Sequence, residues 1–441
     1  MKSRSSKLLI MTSGVLSLKI INAILQLVTV LLLVRLFSIE QFGKYALVMS
    51  VCQVILVFAQ WGFHQVVLRE ATNATSLKNP EIISSVKRWS HRCITYNIIL
   101  WAFIGLISIH YFEWPKISET QFILGLSFTF ILIRINIQTF QLRGMGVGVK
   151  SQIPLLFICP AIFVIGILVA WMFRQEVIVS VESILSVRLL SVFFGSIVGF
   201  LILRKILSER LLEKDATIQK SSGTSQGSLL NSSLLLGISG GVHVLNSNLD
   251  IFYVSHFLGD KSVAFYRVAT ISSCLIFMIG SSVKTTLAPI IVERIKARQF
   301  GDLELIISEH IKAIFWFVFL GLAILVLFGR FALGTFYGKE FLFCYWPMMI
   351  LCFGHVINIM FGPAGIILNH SKNEKLGILA GVIAILSNLI LNFFLVEKYG
   401  LIGASFATLV SSFIFNVILA YFAKKYSQVN CFRWMVGFRE N

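Results

Sequence analysis

Six basic side chains interrupt the long apolar runs of this 441-residue sequence: Lys19, Arg134, Arg188, Arg267, Lys284 and Lys312. One acid, Asp250, is comparably placed. A charge at the centre of a bilayer costs about 2.5–3.5 kcal/mol on insertion scales, so it is kept where it meets water, a partner or a ligand. Deep positive charge in excess is the chemistry of an anion site. Arginine offers phosphate or carboxylate a bidentate fork, and lysine offers a point charge.

Spacing sharpens some of these positions and leaves others open. Lys19 reads either as a cavity lysine or as a snorkelling residue of a span that starts later. Arg134 and Gln138 are four apart and share a helix face, which Gln141 extends. That polar stripe suits a cavity wall or bonding between helices. Lys284 sits among Ser281, Ser282, Thr285 and Thr286, a hydroxyl-rich segment able to line a wet path. Arg188 and Arg267 lie near helix ends, where substrate contact and snorkelling are both open. Lys312 reads as an anchor. In the seventh run, His243, Asn246 and Asp250 fall on one expected helix face. They could accept a proton or cation there, or form a structural pair. Gln53, Gln60 and His64 make a second stripe at helical spacing.

These residues need a scaffold of membrane helices. Hydrophobic residues make up 57% of the chain and charged residues 13%, against about 25% charged in soluble domains. Too few charges are present to coat a soluble protein of this length. Apolar runs fall near 8–34, 45–67, 93–112, 120–142, 153–173, 183–203, 231–257, 263–290, 308–329, 341–366, 377–396 and 401–423. The chain is therefore expected to be an all-α polytopic membrane protein with about 12 transmembrane helices. The first run reads as a retained helix. Pro347 and Pro363 mark the tenth as the span expected to bend or break. Seven scattered cysteines predict no structural disulfide.

With the N-terminus placed inside, 24 of the 38 Lys and Arg residues fall on the cytoplasmic side and 8 on the other. That asymmetry sets both termini as cytoplasmic. It also accounts for the net charge of +18 with no call on nucleic acid. Contact with anionic lipid headgroups is a secondary consequence. The longest polar stretch, RKILSERLLEKDATIQKSSGTSQGS at 204–228, ends as a flexible linker by composition. The expected organisation is a six-helix lobe over 1–206, a cytoplasmic linker over 207–230, a second six-helix lobe over 231–424 and a tail over 425–441. The turns at 34–47 and 255–268 echo each other when aligned on Tyr45 and Tyr266, and 395–407 is a third variant. No Walker sequence, H-E-x-x-H or thiolate cluster is present, and no enzyme activity is expected. No cofactor is expected either.

The sequence resembles the polysaccharide-biosynthesis flippases, the O-antigen and lipid-linked-oligosaccharide translocases of the multidrug/oligosaccharidyl-lipid/polysaccharide exporter superfamily. The resemblance rests on VRLFSIEQFGKYAL at 34–47, TFQLRGMG at 139–146 and NLDIFYVSHFLGDKSVAFY at 248–266. It continues through IILNHSKNEK at 366–375 and YGLIGASFAT at 399–408. Asn369-His370 departs from the glycine-containing turn more usual there. The resemblance implies two six-helix lobes around a central cavity in a bacterial cytoplasmic (inner) membrane. It implies transfer of polyprenyl-diphosphate-linked oligosaccharide units, as in lipopolysaccharide biosynthesis, from the inner to the outer leaflet by alternating access. A polysaccharide polymerase and chain-length machinery are the implied partners. Lys19, Arg134, Gln138, Arg188, Arg267 and Lys284 would contact substrate in the cavity. Asp250, His243, Asn246 and His64 are candidates for coupling to a proton or sodium gradient. The alternative is a multidrug exporter of the same superfamily, although cationic drugs would favour acids in the cavity.

Overall fold

The computed structural model describes residues 2–76, 80–112, 117–173, 179–212, 233, 237, 241–242, 244–371 and 373–431. It does so without the side chains of 2–13, 74–76, 80–88, 112, 209–212, 282–286 and 289. The described residues form helices and turns with no strand. The helices are α1 (Lys2–Leu36), α2 (Ile39–Gln60), α3 (Phe63–Ser76), α4 (Pro80–Phe112), α5 (Glu119–Gly144), α6 (Gly148–Ile153), α7 (Cys159–Met172) and α8 (Val181–Leu212). They continue as α9 (Leu249–Lys296), α10 (Phe300–Ala332), α11 (Tyr345–Met360), α12 (Ala364–His370) and α13 (Glu374–Ser427). The chain divides into two compact units, Met1–Val244 and Leu245–Asn441. The boundary falls within the seventh apolar run. The segment read as the linker begins as the end of α8, and from 213 to 230 it lies outside the described residues.

Among the described residues, ten stretches are long and apolar enough to cross a membrane. Two of them are double. α9 passes through Gly259 (φ 78) and α13 through Gly400 (φ 59), each with non-helical backbone at that glycine. Counting each broken helix twice recovers the twelve crossings expected. On α10, Trp316, Phe317, Leu320, Leu327, Phe328 and Phe331 are exposed. An apolar face of that size belongs against lipid.

Local chemistry sets several helix ends. Ser38 Oγ accepts from Gln41 N–H at 3.3 Å, and Ser38 N–H donates to Gln41 Oε1 at 3.1 Å. Ser118 and Gln121 repeat this capping box at the start of α5, satisfying helix-end amides that would otherwise be orphaned. Gln121 Nε2 also donates to Glu182 Oε1 at 2.7 Å, tying the start of α5 to the start of α8. Further along, Gly199 lets the two helices close. A Cβ there would stand 2.5 Å from Gln138 Oε1. The fifth run carries a π-helical turn at Pro154–Ile158 between α6 and α7. The tenth run breaks at Pro363, in the turn between α11 and α12. Pro347 sits in the first turn of α11, where its missing N–H costs nothing.

Two expected helix faces are interrupted. The second run breaks between Gln60 and His64. Trp61 has φ 38 and Gly62 φ 75, so the stripe from Gln53 to His64 does not run along one helix. The seventh run turns at Ser247 and Asn248, immediately before α9. Asn246 and Asp250 are therefore not on adjacent turns of a continuous helix. His243 lies outside the described residues.

Candidate functional site

In the C-terminal unit the buried polar chemistry centres on Asp250. It sits in the first turn of α9 and is 3% exposed. Tyr266, on the same helix beyond the Gly259 break, donates its hydroxyl to Asp250 Oδ2 at 2.8 Å. The Thr408 hydroxyl donates to the same oxygen. Asn392 Nδ2 donates to Oδ1 at 2.8 Å. None of the described basic residues forms an ion pair with this carboxylate. Its charge is met by neutral dipoles alone.

The surrounding amides extend the site. Asn392 Nδ2 also lies 3.0 Å from both the backbone carbonyl and the side-chain Oδ1 of Asn388. Asn388 Nδ2 donates in turn to Ser411 Oγ at 3.3 Å. One NH₂ group with two hydrogens thus faces three oxygens, while Asn392 Oδ1 is buried without a partner. Turning that amide over would place a fourth oxygen among the other three. The four would make a nest of hard oxygen donors of the kind that holds a hard cation.

Sequence reasoning singled out Asp250 but not the polar residues packed around it, Asn388, Asn392 and Thr408. The signal was present: Asn388 and Asn392 are four apart within an apolar run, and both are 0% exposed. Of the other coupling candidates, Asn246 is half-buried with an unpartnered Oδ1. His64 belongs to the N-terminal unit.

The N-terminal unit holds three of the basic side chains set within apolar runs. Lys19 on α1 and Arg134 on α5 are exposed within apolar helices, and neither forms an ion pair among the described residues. The Arg134 guanidinium lies 5.8 Å from the Phe130 ring centroid. Arg188 is packed differently. Its guanidinium lies 4.5 Å from the Phe163 ring and 5.6 Å from Phe128, and its Nε is buried without a partner. Gln138 is buried toward α8 while Arg134 is exposed, so the two separate despite their spacing. In the C-terminal unit, Arg267 is half-buried. The Lys284 side chain lies outside those described.

Comparison with known proteins places this architecture. The family model described as polysaccharide biosynthesis protein matches residues 12–295, well over half of the chain. The chain belongs to that family. A second model, MatE, matches residues 242–394 of this polysaccharide-biosynthesis family member. A curated relative, the "Probable low-salt glycan biosynthesis flippase Agl15" of Haloferax volcanii, is 23% identical over 213 residues. That alignment covers 48% of this chain and 45% of the relative, about half of each. Among solved structures, an inward-facing multidrug resistance MATE family transporter of the MOP superfamily superposes with a TM-score of 0.71 at 13% identity. The match covers 92% of this chain and 95% of that one. The lipid II flippase MurJ, in an inward closed conformation, gives a TM-score of 0.67 at 16% identity, over 95% and 88% of the two chains. At such identities these likenesses establish the fold of a multi-pass membrane protein. Function must be argued from the site.

Proposed function

We propose that the protein is a flippase for polyprenyl-diphosphate-linked oligosaccharides, carrying O-antigen or similar glycan units from the inner to the outer leaflet by alternating access. The observation that carries this reading is the pair of intramembrane cations, Lys19 and Arg134, exposed and without an ion pair among the described residues. Membership of the polysaccharide-biosynthesis family supports it. So does the glycan flippase among its relatives. A diphosphate cannot cross hydrocarbon unaided, because desolvating its charge is prohibitive. Lysine and arginine replace part of the lost hydration with charge-assisted hydrogen bonds.

Asp250 supplies the drive in this reading. A buried carboxylate without a cationic neighbour needs a proton or a bound cation to be stable. The amide oxygens of Asn388 and Asn392 and the Thr408 hydroxyl suit a monovalent metal cation, sodium before proton. The lysine and arginine asymmetry supports cytoplasmic termini. It fits a bacterial cytoplasmic membrane, where a polymerase and chain-length machinery would receive the flipped unit.

Deletion of the gene in its host tests the reading. Surface polysaccharide should fall while polyprenyl-diphosphate-linked units accumulate inside, and the intact gene should reverse both. Unchanged glycan and unchanged intermediates, with raised sensitivity to amphiphilic drugs, would instead establish the multidrug exporter that shares this fold.

A further inference from the structure

The second helix breaks where the sequence predicts none. The break requires glycine at position 62, where φ is 75. A Cβ there would stand 2.2 Å from the Ser233 carbonyl oxygen and 2.5 Å from the Gly237 nitrogen. The break settles its own backbone. Trp61 N–H donates to Val57 O at 3.0 Å, Gln65 N–H to Gly62 O at 3.0 Å, and the Ala59 carbonyl accepts from Asn97 Nδ2 at 3.5 Å. Gln60 and His64, on either side, are therefore not needed to cap the broken ends.

Both face α5. Asn136 Nδ2 lies 3.5 Å from Gln60 Oε1. The His64 ring meets Phe140 edge-on at 4.6 Å, and the Arg143 guanidinium lies 5.1 Å from that same ring. Asn136, Phe140 and Arg143 are four and three apart, on one face of α5. Gln60 is only 6% exposed, yet its Nε2 has no partner, and His64 Nδ1 has none either. Buried polar atoms are rarely left unpaired in a native protein unless something else meets them.

We propose that this break builds a neutral sugar-reading subsite, in which Gln60, His64 and Asn136 bind hydroxyl or acetamido groups of the glycan. Two amides and an imidazole offer donors and acceptors together, with no carboxylate among them. That inventory matches a sugar, which also carries both, better than an ion. Arg143 lies seven residues along α5 from Asn136, about 10 Å by helix rise. A charged group and a sugar can thus be held on one face without competing for the same residues. The subsite rests on the flippase reading.

Binding to the full-length protein in nanodiscs tests it, with two probes: a polyprenyl diphosphate, and the same lipid bearing one N-acetylhexosamine. Wild type should bind the sugar-bearing lipid about tenfold more tightly, as two net hydrogen bonds supply. Joint replacement Gln60→Leu and Asn136→Leu should erase that preference and leave affinity for the bare lipid unchanged. If the double variant loses the bare lipid as well, His64→Phe decides. It keeps the ring contact with Phe140, removes the polar nitrogens and should cut the preference about threefold. A wild type without the preference would overturn the subsite, as would variants that keep it because the amides hold only water. Failure of wild type to bind either lipid would sink the flippase reading and the subsite with it.

Discussion

The two units surround their candidate site residues differently, although both leave some buried polar atoms without a partner. In the C-terminal unit, the Asp250 carboxylate is saturated by Tyr266, Thr408 and Asn392. In the N-terminal unit, Gln60, His64, Gln138, Gln141 and Arg188 each keep a buried atom without a partner. The first pattern is a ring of neutral donors around one charge, with Asn392 Oδ1 beside it left for a small ion that enters and leaves. The second is an unfinished surface, fit for a larger ligand that brings its own donors and acceptors. The proposed coupled flippase would need both, and here they lie in different units.

The largest expected effect concerns the break in the second helix. Gly62→Val would force a branched side chain into a positive φ and against the backbone at Ser233. It should cost about 3–5 kcal/mol, from strain and overpacking together. Thermal unfolding in detergent would show it. A neutral result would mean that the break does not order the N-terminal unit.

Next comes the ring around Asp250. Sodium at one hundred times its Kd should add about 2.7 kcal/mol to the stability of the wild type. Asp250→Asn should abolish that increment, read as melting temperature in sodium against choline at fixed pH. An equal sodium effect in both proteins would remove Asp250 from coupling. Tyr266→Phe is milder. It leaves the carboxylate two donors and should cost about 2 kcal/mol, as for a hydrogen bond to a charged group.

The smallest effect sharpens the contrast inside the N-terminal unit. Gln138 faces α8 at Gly199, and its Oε1 is buried and unpaired. Gln138→Met keeps the volume and removes the unpaired acceptor. Stability should rise by up to about 1 kcal/mol with transport unchanged. A loss of transport would return Gln138 to the substrate path.

The elements were largely legible in the sequence because hydropathy is local. The twelve runs were visible, and so were the echoing turns around Gly259 and Gly400. The breaks were not. Gly62 is one glycine among many until the backbone near Ser233 and Gly237 is brought against it. Helical spacing then joined Gln53 to His64 and Asn246 to Asp250 across turns it had no means to detect. Asp250 stood out as a lone deep acid. Its partners Asn392 and Thr408 are 142 and 158 positions away, and only tertiary packing unites them.

The most direct test is transport in proteoliposomes that contain only this protein and a labelled polyprenyl-diphosphate-linked saccharide. An imposed sodium gradient should move the lipid to the opposite leaflet in the wild type. Charge-neutral replacement of Lys19 and Arg134 should stop movement altogether, and Asp250→Asn should leave only slow, gradient-independent exchange. Wild-type protein that binds the lipid but never flips it under a sodium or a proton gradient would contradict the account.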